Sequence, residues 1–190
     1  MKADRVLPFR FVAAARVAPR FVAELESGML ANLEGQAPLP GMTLILVDVS
    51  GSMDMQLSVK SDMTRMDAAA GLAVFAREIC ASARVMTFSD QVVEVAAYRG
   101  LALVDAIRNS QPHGATLLGQ AVGRLKAEPQ DRIIVITDEQ SHARVPGPKG
   151  KGYMVNVASN KPGVGYGAWV HVDGWSDRIL DYVRSTESDS

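Results

Sequence analysis

At 190 residues, 47% hydrophobic and 22% charged, the chain has ordinary globular composition and is long enough for a sizeable core that folds without disulfide or metal staples. A formal net charge of −1, from 20 Lys and Arg against 21 Asp and Glu, gives no sign of a basic nucleic-acid-binding face. The only cysteine, Cys80, excludes an internal disulfide, and with no apolar h-region or run of spanning length a cytoplasmic protein with no membrane attachment is expected.

Residues 1 to 41 read as a helical appendage rather than part of a sheet. Pro8 is expected to open a short helix through Val17, and Pro19 a second in which Phe21, Leu25 and Met29 share one face at a spacing of four. Gly35, Pro38, Pro40 and Gly41 then end helical structure. Met42-Thr43-Leu44-Ile45-Leu46-Val47 follows, an apolar run of the kind a strand shows when both faces are buried.

That strand stops at Asp48. The turn Asp48-Val49-Ser50-Gly51-Ser52 puts a carboxylate and two hydroxyls at alternate positions around a glycine that permits a tight bend. Such a turn can aim several hard oxygens at one point, a donor set that suits Mg²⁺, Mn²⁺ or Ca²⁺; zinc would call for Cys or His, and none is nearby.

Beyond a polar excursion from Met53 to Asp62, Thr64-Arg65-Met66-Asp67 has the form of a capping box and predicts a helix to about Ala83. Its stripe of Leu72, Phe75, Ala76, Ile79 and Ala83 is expected to pack on the sheet, with Cys80 as a small buried hydrophobe. Arg84 to Phe88 and Val92 to Ala97 read as strands joined by Ser89-Asp90-Gln91, a hairpin at the sheet edge. Leu101 to Arg108 is a short helix, and the loop His113-Gly114-Ala115-Thr116 leads into another, running to about Ala127.

Arg132-Ile133-Ile134-Val135-Ile136-Thr137-Asp138 repeats the design of an apolar strand ending in an aspartate. In open parallel sheets ligands bind outside the carboxyl ends of strands where strand order reverses, so Asp48 and Asp138 are expected at one crevice with Thr116 as a third contributor. Ser141 to Gly152 is a loop, Tyr153 to Ser159 and Trp169 to Val172 are strands, and Ser176 to about Arg184 is a closing helix with Ile179, Leu180 and Val183 facing inward. Residues 185 to 190 are expected to be a disordered tail. Gly163-Val164-Gly165-Tyr166-Gly167 has no following helix to offer a phosphate and reads as a surface loop. The expected fold class is α/β: a doubly wound, mostly parallel sheet with one antiparallel edge strand, preceded by two short helices.

These loops resemble the von Willebrand factor A domain, whose metal-ion-dependent adhesion site joins an Asp-x-Ser-x-Ser loop, a later threonine and a later aspartate. The match falls on Asp48, Ser50, Ser52, Thr116 and Asp138. The resemblance implies that both serines coordinate Mg²⁺ or Mn²⁺ directly and that the threonine joins in some states. It further implies that the aspartates act largely through bound waters, and that a partner's Asp or Glu carboxylate fills an open position. Gly-Ala-Thr stands where the family often has Gly-Gly-Thr, which is expected to stiffen that loop. Glu139 stands where glycine is frequent, adding a negative charge that either strengthens metal binding or discourages an acidic ligand. His113 and His142 are close enough in sequence for a supporting contact.

Val6-Leu7-Pro8-Phe9-Arg10-Phe11, Leu39-Pro40-Gly41, Asp138-Glu139-Gln140-Ser141-His142 and Val170-His171-Val172-Asp173-Gly174 are similar to the C-terminal half of bacterial Ro-autoantigen (TROVE) proteins. That resemblance implies residues 1 to 41 as the remnant of a helical-repeat ring, residues 42 to 184 as the A domain, and noncoding RNA as a partner held by the ring. It also implies that Phe9, Phe11, Phe21 and Leu25 line a partly unpaired face where the ring would continue. The function expected is a noncatalytic divalent-metal-binding interaction domain of a Ro-type ribonucleoprotein engaged in small noncoding RNA binding and RNA quality control. An A-domain adaptor coupled to an ATPase is the alternative reading. A metal-assisted hydrolase ranks below both, because no base is placed by motif to activate Ser50 or Ser52.

Overall fold

The strand β1 (Leu39–Asp48) runs through the middle of the molecule, with every residue from Thr43 to Asp48 buried. The structure, a computed structural model, describes residues 8–31, 37–58, 61–139, 144–158, 167–174 and 178–188. The other strands are β2 (Cys80–Phe88), β3 (Val92–Glu94), β4 (Arg132–Thr137), β5 (Lys151–Asn156) and β6 (Val170–Asp173), in sheet order β3-β2-β1-β4-β5-β6. All neighbours are parallel except β2 and β3, the antiparallel edge hairpin. The expected fold class and the six strands are therefore observed.

Alternation along β1 and β4 sends side chains to two cores. Ile45, Val47, Ile134 and Ile136 face one core with α3 (Arg65–Ile79), α4 (Gly100–Arg108) and α6 (Arg178–Ser188). Leu44, Leu46, Ile133 and Val135 face the other, closed by Leu118, Ala121, Val122 and Leu125 of α5 (Leu118–Leu125). The chain leaves β1 toward β2 on one side and returns to β4 on the other, so strand order reverses at the carboxyl ends of β1 and β4. That reversal opens the crevice where a ligand site is expected.

Several elements differ from the sequence reading. The capping box at Thr64 and Asp67 is present, but α3 stops at Ile79 and Cys80 begins β2, which also contains Ala83. Ile79 to Ala83 lacks a turn signal and its small residues suit either period, so pairing with β1 decides its state. Nor is α3 amphipathic: Met66 to Ala76 is buried all round. Four alanines and a glycine between Ala68 and Ala73 let α1 (Pro8–Val17) and α4 approach its outer side.

The two leading helices, α1 and α2 (Val22–Ala31), form as expected, separated by a short 3₁₀ turn at Pro19–Phe21. They share the domain's core: Phe11, Val12 and Met29 are buried with α3 and β1, and Leu25 packs against that cluster. Phe11 and Leu25 therefore do not belong to an unpaired face, and Phe21, 45% exposed, does not share the buried side of Met29. Glu26 fixes α2 to α4 by accepting from the Leu101 amide at 2.9 Å.

At the other end, α6 continues to Ser188, through four residues of the segment expected to be a disordered tail. The cause is non-local: Glu187 accepts from Arg132 Nε at 2.8 Å and from the Tyr153 hydroxyl at 3.1 Å. Ile179 and Val183 are buried as expected. His142 and the Gly163-Val164-Gly165-Tyr166 stretch lie outside the described residues.

Candidate metal centre

Both expected acids stand at the crevice. Val47 pairs with Ile136 in register, which sets Asp48 at the end of β1 beside Thr137, with Asp138 one residue further along. Asp48 is wholly buried, and its two oxygens accept from the Ser50 amide at 2.9 Å and the Thr137 hydroxyl at 2.7 Å. The first bond closes the turn that carries the serines. Their hydroxyls meet, Ser50 Oγ to Ser52 Oγ at 3.2 Å.

Thr116 lies in the segment before α5, and two sets of bonds hold that segment to the rest of the crevice. The Gly51 amide, between the two serines, donates to the Gly114 carbonyl at 3.0 Å. From the β2–β3 turn, Ser89 Oγ accepts from the Gly114 amide at 2.7 Å and Asp90 from the Ala115 amide at 2.9 Å. A Cβ on Gly114 would fall 1.9 Å from Asp90 Oδ2, so a side chain there would have to displace the carboxylate that holds Ala115. His113 bridges the same two loops: Nδ1 lies 2.9 Å from Asp54 Oδ2, and Nε2 2.9 Å from the Arg108 carbonyl. The expected supporting contact from His113 is thus to the loop scaffold.

Burial pushes the Asp48 carboxyl up to about 6, against the bonds from Ser50 and Thr137 that favour its charge, and the Asp138 charge adds to the rise. Asp138, also wholly buried, accepts from Arg65 at 2.7 Å. Glu139 is 1% exposed and has φ of +55°, a left-handed conformation that costs a side chain on the order of 1 kcal/mol and explains why glycine suits this position. Its carboxyl lies 3.2 Å from His171 Nδ1, so the two segments singled out around Asp138 and His171 meet in space.

The donors fit a small hard cation. Octahedral Mg²⁺ with oxygens at about 2.0–2.1 Å has adjacent ligands about 3 Å apart. Ser50 Oγ and Ser52 Oγ, 3.2 Å apart, have that spacing already. Among the described residues no three His, Cys, Asp or Glu side chains group to hold a metal, so the donor set here is one of hydroxyls beside carboxyls rather than a zinc-type cluster.

Sequence reading did not find Arg65, Thr137 or the Ser89-Asp90 pair. Arg65 and Asp138 are 73 residues apart, and no local pattern signals the pairing. Thr137 had a legible signal, a hydroxyl in the last strand position beside the other acid strand. No helix among the described residues is long and apolar enough to cross a membrane.

No protein-family model matches the sequence, and no curated protein matches it. Solved structures do. The Ro (RSR) protein of Deinococcus radiodurans superposes with a TM-score of 0.67 at 20% identity, over 93% of this chain and 43% of that one. The fold is of the von Willebrand A type. The conserved hypothetical protein BatB of Bacteroides thetaiotaomicron is similar at a TM-score of 0.52 and 14% identity, over 79% of this chain and 98% of its own. The chain thus spans less than half the length of the Deinococcus protein.

Proposed function

We propose that the chain is a noncatalytic interaction domain that binds Mg²⁺ or Mn²⁺ and, through the metal, an acidic group of a protein partner. Ser50 and Ser52 are the direct ligands, Asp48 and Asp138 act through waters, Thr116 joins in some states, and a partner's Asp or Glu carboxylate takes the open position. The observation that carries this reading is the hydroxyl pair at 3.2 Å, on a turn closed by one buried aspartate, with a second buried aspartate just past the end of the neighbouring strand. Two carboxyls beside neutral hydroxyls match a divalent charge. A hydrolytic role lacks support: His113, the described histidine nearest the serines in the loop scaffold, is engaged by Asp54 and the Arg108 carbonyl.

The likeness to the Deinococcus protein over 93% of this chain supports a Ro-type ribonucleoprotein as its setting, with noncoding RNA handled by a helical-repeat ring. With 20 basic against 21 acidic side chains, this chain alone contributes few phosphate contacts and is expected to bind structured small RNA weakly.

Equilibrium dialysis against Mn²⁺ tests the metal reading. The parent chain should retain the ion and the Ser50→Ala, Ser52→Ala double variant should lose it; equal retention by both, or none by either, contradicts the proposal. Filter binding at near-physiological salt tests the RNA assignment. Sub-micromolar affinity of this chain alone, abolished by high salt, would place an RNA site on the A domain itself.

A further inference from the structure

The first turn of α3 carries a positive charge where a helix favours a negative one. Thr64 is the N-cap and Arg65 the first helical residue, so its cation sits at the positive end of the helix dipole. The root of this side chain is firmly held. The Thr64–Asp67 capping box fixes the helix start, the Arg65 amide donates to the Met55 carbonyl at 2.9 Å, and Thr64 bridges to Gln56. Arg65 is therefore anchored to the segment that leaves the Ser50–Ser52 loop. Its guanidinium donates to Asp138 Oδ2 at 2.7 Å, with the Arg65 side chain 12% exposed and that of Asp138 fully buried.

We propose that Arg65 is a built-in counter-ion that occupies the charge of Asp138 in the metal-free protein and sets the affinity of the site for divalent cations. This rests on the metal reading above. A buried carboxylate needs a compensating charge, and Arg65 supplies it when no cation does. A divalent ion entering beside Asp138 must share that carboxylate with the guanidinium or displace it, and in either case meets an unfavourable positive charge in a poorly screened setting. The fold thereby keeps its acidic crevice stable without metal, at the cost of weaker metal binding.

Isothermal calorimetry with Mg²⁺ and Mn²⁺ on the parent, Arg65→Gln and Arg65→Lys decides the matter, with metal-free melting recorded for each. Arg65→Gln should bind metal about tenfold more tightly while melting lower in EDTA, since neutralising a nearby like charge favours the cation. Arg65→Lys keeps the charge and should bind within about threefold of the parent, which separates a charge effect from a packing effect. Unchanged or weaker binding by folded Arg65→Gln, with the parent binding normally, overturns the counter-ion role alone. Should Arg65→Gln not fold, tenfold tighter binding by Arg65→Lys would overturn it equally. No binding by any of the three overturns the metal reading and this inference together.

Discussion

The two ends of the sheet both bury charged groups, and they do so in opposite ways. At the amino end of β4, Arg132 is enclosed by Glu187, donates to Thr43 Oγ1 at 2.8 Å, and shares Glu187 with the Tyr153 hydroxyl. One positive side chain meets one negative, and the remaining polar atoms bond each other. At the carboxyl ends of β1 and β4, Asp48, Asp138 and Glu139 are all buried; among the described residues Arg65 pairs with Asp138 and His171 lies beside Glu139. A balanced pair fastens α6 to the sheet and needs nothing more. Burial, by contrast, with a smaller addition from the Asp138 charge, makes Asp48 reluctant to ionise, and the pair of carboxyls gives a divalent cation something to neutralise.

Replacing a carboxylate by its amide at each end should therefore change stability in opposite directions. The largest effect is expected from Glu187→Gln, which leaves the buried Arg132 cation without its partner; urea unfolding should show a loss of about 3 kcal/mol. Burial, then the Glu187 charge and its hydrogen bond, hold the Tyr153 hydroxyl above its ordinary range, so that variant should let Tyr153 titrate lower in absorbance. The pH dependence of metal-free stability comes next. Asp48 binds its proton more tightly folded than unfolded, so its contribution is complete below pH 3.8 and is lost as pH rises through about 6. The difference between parent and Asp48→Asn across that window should be on the order of 2–3 kcal/mol. Saturating Mg²⁺ should invert the slope, because the cation requires the carboxylate.

How far these two ends were legible in the sequence differs for a physical reason. The acidic end was readable because its residues follow locally from strand ends: an apolar run must stop somewhere, and both central runs stop at aspartate. The serine turn and the capping box at Thr64 are likewise written within five and four residues. The balanced end was not readable, since Glu187 owes its order to Arg132, 55 residues away, and a polar tail looks the same with or without such a partner. Arg65 escaped notice for the same reason. The boundary at Cys80 failed differently, because alanine-rich sequence satisfies both helix and strand and the choice belongs to the neighbouring strand.

Smaller effects sharpen the contrast. Asp48→Asn at neutral pH should raise metal-free stability by about 1 kcal/mol, partly offset by the altered bond to Thr137, and guanidinium unfolding in EDTA would register it. Thr64→Ala should cost about 1 kcal/mol through the lost cap. Arg16→Ala, which removes a half-exposed ion pair between α1 and Asp67, should cost under about 1 kcal/mol by the same measurement. A larger loss would mean that α1 is fastened to α3 more by charge than by Phe11 and Val12.

The central claim, that the acidic end is a divalent-metal site, is tested most directly by calorimetric melting in EDTA, in Mg²⁺ and in Mn²⁺. At ~100 times the dissociation constant the parent should gain about 2.7 kcal/mol, a rise of roughly 5–10 °C for a chain of this size, and Asp48→Asn should not respond. Superimposable melting curves for the parent in all three conditions would contradict the account.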